Sequence, residues 1–239
     1  MKRSIQIISP HIDDAILSMG GAVRNLLKRD EHVTIQYVFT VSNWTNRDAI
    51  CEDGYPPDVD TITGIRKNEE SDVAVKLGYT FKFLDFVDFP FRDQHSEETE
   101  RDLVDRIADT LIKSCGRKDI FIVPLASGLK HPDHDIVRSA SRKLIALGCM
   151  VFFYEDLPYA ARSCHDHKNT FRVMTESGYR PEIFEIDIEL KESLLRCYKS
   201  QMSDEWLGYV KSYSYNLFDN NHYERIWVPI GAEKITQDV

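Results

Sequence analysis

The chain opens on a short β-branched run, Ser4-Ile5-Gln6-Ile7-Ile8-Ser9, stopped by Pro10, whose missing N–H cannot continue a central ladder. Beyond it Ala15, Ile16, Leu17, Met19, Ala22, Val23, Leu26 and Leu27 recur at helical spacing. Asp13 and Asp14 stand where the N-cap and first turn of that helix fall. Val33, Ile35, Tyr37 and Phe39 then alternate, so residues 33–40 read as a strand and the opening as a right-handed βαβ unit. Residues 41–60 are polar and aperiodic, a length that belongs to function or to flexibility. Helical spacing returns over 62–77 and closes at Gly78. A strand over 80–86, a helix over 99–114 and an apolar strand over 120–123 follow; the last, unbroken by polar residues, suits a strand covered on both faces. A helix over 133–147 and a strand over 150–154 complete the clear part. Past residue 160 the rhythm weakens: 183–188 reads as an edge strand and 190–199 as a helix, while the aromatic tail around Trp206, Tyr209, Tyr213, Tyr215 and Trp227 has no assigned element. The pattern predicts a single α/β, Rossmann-like domain over 1–239, a mostly parallel twisted sheet flanked by helices, with a core at 4–155 and a C-terminal extension at 156–239.

Composition narrows the function classes. With 39 acidic against 30 basic residues the formal charge is −9, which argues against a nucleic-acid partner. No run approaches the roughly 18 apolar residues a membrane helix needs. The apolar stretch before Pro10 is too short for a secretory signal, and five scattered cysteines without a C-x-x-C pair read as reduced thiols. A cytoplasmic location is expected; the oligomeric state, a homo-oligomer included, is left open.

Two clusters carry candidate chemistry: His11-Ile12-Asp13-Asp14 and His131-Pro132-Asp133-His134-Asp135. Each follows an apolar strand and precedes a helix. In an open parallel sheet all such turns lie along one carboxyl edge, so residues 120 positions apart should meet in one crevice. Taken singly, Asp13 or Asp14 reads as a helix cap and each histidine as an ordinary turn residue. Taken together, His11, Asp14 and His134 offer two imidazoles and a carboxylate, the donor set of a catalytic zinc. Zinc lowers the pKa of a bound water towards neutrality. Asp13 is then available to take a proton, and His131, held by Asp133, to stabilise an oxyanion. Those parts suit metal-assisted hydrolysis of an amide or ester. One zinc per chain is expected, and iron(II) would accept the same ligands.

The stretch Ser9-Pro10-His11-Ile12-Asp13-Asp14 with Leu17-Ser18-Met19-Gly20-Gly21, and the later His131-Pro132-Asp133-His134, resembles the LmbE-like, or PIG-L, zinc de-N-acetylases. Arg66-Lys67-Asn68-Glu69 and Leu77-Gly78 match as well, and the likeness spans roughly residues 4 to 155. It implies zinc on His11, Asp14 and His134, Asp13 as general base, and His131 as stabiliser of the tetrahedral intermediate, positioned by Asp133. It also implies that Arg66 and Asp88 bind substrate; read without it, Arg66 pairs with Glu69 or Glu70 and Asp88 occupies a turn. Three departures stand out. Ile12 and Ala15 flank the acids, Ser42-Asn43-Trp44 stands where members carry an acidic contact, and Leu129-Lys130 stands where some carry a tyrosine. Tyr154-Glu155-Asp156-Leu157-Pro158-Tyr159 resembles a segment of members acting on secondary-metabolite glycosides. Glu155 and Asp156 are therefore expected to wall the substrate against a cationic ligand, or else to cap a turn.

The implied reaction removes the N-acetyl group from an N-acetylglucosamine-like unit of a small glycoside, with an antibiotic or aminoglycoside intermediate as the expected partner. A thiol precursor of the N-acetylglucosaminyl malate type is the alternative, with Lys130 and Arg66 as its basic contacts. From another class, a non-catalytic nucleotide- or sugar-binding protein would need glycines at the first turn. That turn holds His11, Asp13 and Asp14, and Gly20-Gly21 come later, inside the helix.

Overall fold

The computed structural model describes residues 3–46, 58–93, 96–116, 118–126, 131–162, 167–233 and 235. In chain order it contains β1 (Ser4–Ser9), α1 (Asp14–Lys28), β2 (His32–Val41), α2 (Val59–Leu77), β3 (Thr80–Val87), a 3-10 turn (Phe89–Phe91), α3 (Glu97–Ser114), β4 (Ile120–Pro124) and α4 (Pro132–Ala146). It continues with β5 (Met150–Tyr154), α5 (Tyr159–Arg162), α6 (His167–Glu176), β6 (Tyr179–Ile186), α7 (Ile188–Leu195), α8 (Asp204–Ser214) and β7 (His222–Pro229).

The strands form one sheet in the order β3-β2-β1-β4-β5-β7-β6, parallel from β3 through β5 and antiparallel at β7 and β6. The order leaves β1 at the switch point, beside both β2 and β4, where an open α/β sheet forms its crevice. Alternate residues feed two cores. Ile5, Ile7, Ile122, Phe152 and Tyr154 pack under α1, α7 and α8, and Ile8, Phe121, Val123, Val151 and Phe153 pack under α3 and α4. Burial on both faces is why the central strands read as continuous apolar runs.

Helix ends follow local chemistry. Asp58 caps α2 by accepting the Thr61 N–H, and Gly78 closes it at φ 85°. Ser96 and Thr99 form a reciprocal cap at α3. α1 departs from regularity at Met19 (φ −144°, ψ 25°). The N–H groups of Gly21 and Ala22, just past the break, donate to the Glu224 carboxylate at 3.2 and 2.7 Å. Lys191 Nζ lies 2.6 Å from the same carboxylate, both side chains being buried. Glu224 thus caps the second half of α1 from β7. Gly21 allows it, since a Cβ there would lie 2.5 Å from Ile186 Cγ2.

The C-terminal part needs correction against the sequence reading. The strand expected over 183–188 runs Tyr179–Ile186, and it is indeed an edge strand. The helix expected over 190–199 is Ile188–Leu195, started early because Asp187 caps it by accepting the Leu190 N–H. The unassigned aromatic tail divides into α8 and β7, and β7 inserts between β5 and β6 with Trp227 fully buried. Among the described residues no helix is long and apolar enough to cross a membrane.

Candidate active site

The first turn of the site is shaped by its own backbone needs. Pro10 ends β1, and the Ser9 hydroxyl donates to the His11 carbonyl and accepts the Ala15 N–H, folding residues 10–14 back over the strand end. Asp13 holds the N-cap position of α1 without any side-chain capping bond, so its carboxylate is free for other work. Asp14 Oδ2 accepts the His11 N–H at 2.8 Å and lies 3.0 Å from His11 Nδ1. The second turn is built alike: Pro132 opens α4, and His131 caps it by position and not by a side-chain bond.

The two turns meet. His134 Nε2 lies 3.2 Å from Asp14 Oδ2, so His11, Asp14 and His134 surround one point, all buried. Despite that proximity His134 Nε2 has no hydrogen-bond partner among the described residues. A buried nitrogen left facing a carboxylate and a second imidazole is what a metal ligand looks like without its ion. The far nitrogens support this arrangement. His134 Nδ1 lies 2.6 Å from Asp156 Oδ1, and His11 Nε2 lies 3.0 Å from Asp133 Oδ2. Each histidine is therefore oriented by an outer carboxylate, the usual support of a metal-bound imidazole.

Electrostatics point the same way. Asp13, Asp14, Asp88, Asp133 and Asp156 are all 5% exposed or less and cluster around two histidines, Arg66 and Arg92. Burial alone would lower the His11 pKa, but bonds to Asp14 and Asp88 carry it up to about 9. His134 is likewise raised to about 9, against burial, by Asp14 and Asp156. Burial pushes Asp14 up, yet His134 and His11 hold it well below the carboxylate range. The cluster is short of positive charge, which a divalent cation would supply.

Asp13 is raised by burial, partly opposed by Arg66, whose guanidinium lies 3.4 Å away. Arg66 therefore pairs with Asp13 and not with Glu69 or Glu70. Asp88 accepts the Ser42 hydroxyl at 2.5 Å, lies 3.5 Å from His11 Nε2, and is held low, against burial, by His11. His131 stands with its ring 5.0 Å from those of His11 and His134. Its pKa falls to about 4 through burial and the neighbouring imidazoles. A cavity of about 280 Å3 opens over these groups, lined by Trp44, Arg66, Asp88, Pro90, His131, Tyr159, Gln201 and Trp206 together with the floor residues.

The family model for GlcNAc-PI de-N-acetylases, PIG-L, matches residues 6–145, more than half of the chain and both clusters. The chain belongs to this family. It is a deacetylase, and His11, Asp14 and His134 form a candidate metal site in it. It is 27% identical over 260 residues to a 2'-N-acetylparomamine deacetylase of Streptomyces fradiae, covering 95% of this chain and 90% of that one. Among solved structures it resembles an A40926 pseudoaglycone deacetylase (TM-score 0.72, 25% identity, 96% and 98% covered). It shares its fold with a deacetylase of teicoplanin biosynthesis (TM-score 0.75, 22% identity, 94% and 96% covered).

Three expectations of this deacetylase's sequence shift in the structure. Asp133 does not hydrogen-bond His131: its carboxylate meets His11, the Phe89 N–H and Arg92, and His131 Nδ1 has no hydrogen-bond partner among the described residues. Asp156 does not wall the substrate; its two oxygens are spent on His134 and the Ala126 N–H. Glu155 turns away too, accepting from Trp227 Nε1 and Tyr213. Both sit at the predicted edge, but Glu155 meets donors from β7 and α8, which the sequence left unassigned, and Asp156 meets His134 and the Ala126 N–H. Leu129 and Lys130 lie outside the described residues. Trp44, Tyr159 and Gln201 were given no lining role by the sequence. Tyr159 packs edge-on to His134, ring centroids 5.3 Å apart, and only its place just after β5 hinted at this.

Proposed function

We propose that this deacetylase removes the N-acetyl group from an N-acetylglucosamine-like unit of a small glycoside in antibiotic formation, using one zinc on His11, Asp14 and His134. The buried, unbonded His134 Nε2 facing Asp14 carries the metal assignment. The paromamine-type relative, similar along nearly the whole chain, supports the substrate class. When bound, the ion would polarise the acetamido carbonyl and acidify water.

The chain's own groups divide the remaining work. Asp13, its pKa raised by burial, takes a proton from the attacking water on its carboxylate and returns it to the departing amine nitrogen, so acetate and free amine balance the added water. Arg66, 3.4 Å from Asp13, keeps that carboxylate charged and in place. His131, neutral at pH 7 with its pKa near 4, donates a ring N–H to the carbonyl oxygen as negative charge gathers there. Asp133 and Asp156 fix the imidazoles. Asp88, on the cavity wall, is left to accept sugar hydroxyls.

The carboxylate-bearing thiol precursor is less well served, because Arg66 is 3% exposed and already paired with Asp13. The test is acetate release across N-acetylated aminosugar glycosides with and without chelator. Release that stops with chelator and returns with zinc supports the reading. Release indifferent to chelator, or none from any such glycoside, contradicts it.

A further inference from the structure

At about 280 Å3 the cavity over the metal ligands is smaller than the roughly 300–1,000 Å3 that encloses a drug-sized ligand. It suits one sugar ring with its acetamido group. The rest of a glycoside has to emerge past the rim. Two indoles stand there. Trp44, in the segment after β2, is 45% exposed, whereas the floor residues His11, Asp13 and Asp14 are nearly covered. Its ring stacks on that of Trp206 from α8, with centroids 5.8 Å apart and planes 27° from parallel.

An exposed tryptophan on a connecting segment would ordinarily be free to move. Here the backbone is tied down. The Trp44 N–H donates to Ser42 Oγ at 3.0 Å, and the Trp44 carbonyl accepts from Gln201 Nε2 at 3.1 Å. The Thr45 hydroxyl and Asn46 N–H both donate to the Ser200 carbonyl, and Ser200 in turn donates to Glu69 of α2. Ser42 links the platform to the floor, since its hydroxyl donates to Asp88. A surface ordered before binding loses little freedom on binding, which favours a ligand-contacting role.

Resting on the deacetylation proposed above, we infer that the Trp44–Trp206 pair is the subsite for a second ring of the substrate, and that it selects a ring bearing an ammonium group. The C–H face of a saturated ring stacks on an indole, and an ammonium over the indole face is attracted by the ring quadrupole. The same negative face disfavours a carboxylate. Asp88 nearby and the chain's formal charge of −9 add to that bias.

The test compares acetate release from three N-acetyl substrates: N-acetylglucosamine alone, a two-ring glycoside with an ammonium on its second ring, and a glycoside with a carboxylate there. The wild type is expected to prefer the cationic two-ring compound in kcat/KM by about ten-fold over either other substrate, the combined scale of stacking and cation–π contacts. Trp44→Ala and Trp206→Ala should each remove most of that preference through KM, with kcat and metal content kept, and Trp44→Phe should retain much of it. Calorimetric binding of the two-ring amine product should weaken in the same order. Unchanged preference in both alanine variants, or a wild-type preference for the carboxylate compound, overturns the subsite while leaving the deacetylase reading intact. No acetate from any of the three overturns that reading and the subsite with it.

Discussion

The front and the back of the metal site come from different halves of the sheet. β1 and β4 lead into the connections that carry His11, Asp13, Asp14, His131 and His134, inside the span shared with the PIG-L family. β5 and β7 deliver the supports: Asp156 behind His134, and Glu224 on the break in α1, 202 positions from the Ala22 N–H it accepts. In the proposed reaction the front residues would hold the ion and move protons, and the back residues would keep the front in register. Loss at the front should therefore abolish the reaction, and loss at the back should attenuate it.

His134→Ala is the severest break. It should lose the metal and cost more in acetate release than the roughly 10²–10⁴-fold expected for a missing general base. Asp13→Asn comes next, with a fall in kcat of about 10²–10⁴-fold and metal content by atomic absorption unchanged. Asp156→Asn should cost about 10–100-fold in metal affinity or turnover, the usual price of an outer carboxylate. A loss equal to that of His134→Ala would erase the distinction between front and back.

Two smaller effects probe the scaffold. Gly21→Ala sets a Cβ 2.5 Å from Ile186 Cγ2 and should lower unfolding stability by about 1–3 kcal/mol in denaturant titration. Glu70, four positions after Arg66 on α2, accepts the hydroxyls of Tyr79 and Tyr198, both at 2.6 Å; burial raises its pKa from 4.5 to about 7. Between those values the native state holds more of its proton than the unfolded chain, so its contribution to stability falls as pH rises through about 7. Glu70→Gln should flatten the stability–pH curve over that window, and an unaltered slope would show that Glu70 titrates normally.

The same division governs what could be read in advance. The central parallel strands were legible because burial on both faces leaves unbroken apolar runs such as Ile120-Phe121-Ile122-Val123. The meeting of His11, Asp14 and His134 followed from topology alone: strand-to-helix turns of a parallel sheet share an edge. β7 was not legible, because its buried Glu224 looks polar and its partner Lys191 lies on another element. The orientations of Asp133 and Asp156 were equally hidden. Position at the edge found both residues, but whether each faces the ligand or a histidine depends on donors such as Arg92 and the Ala126 N–H. The Trp44–Trp206 platform joins segments with no shared period, so no spacing announced it.

X-ray absorption at the zinc edge of the loaded protein addresses the central claim most directly. Two imidazole nitrogens and oxygen donors at about 2.0–2.1 Å are predicted, and that spectrum is lost together with the metal in His134→Ala. Sulfur in the coordination shell, or a spectrum that His134→Ala leaves unchanged, would contradict a site shared between the two turns.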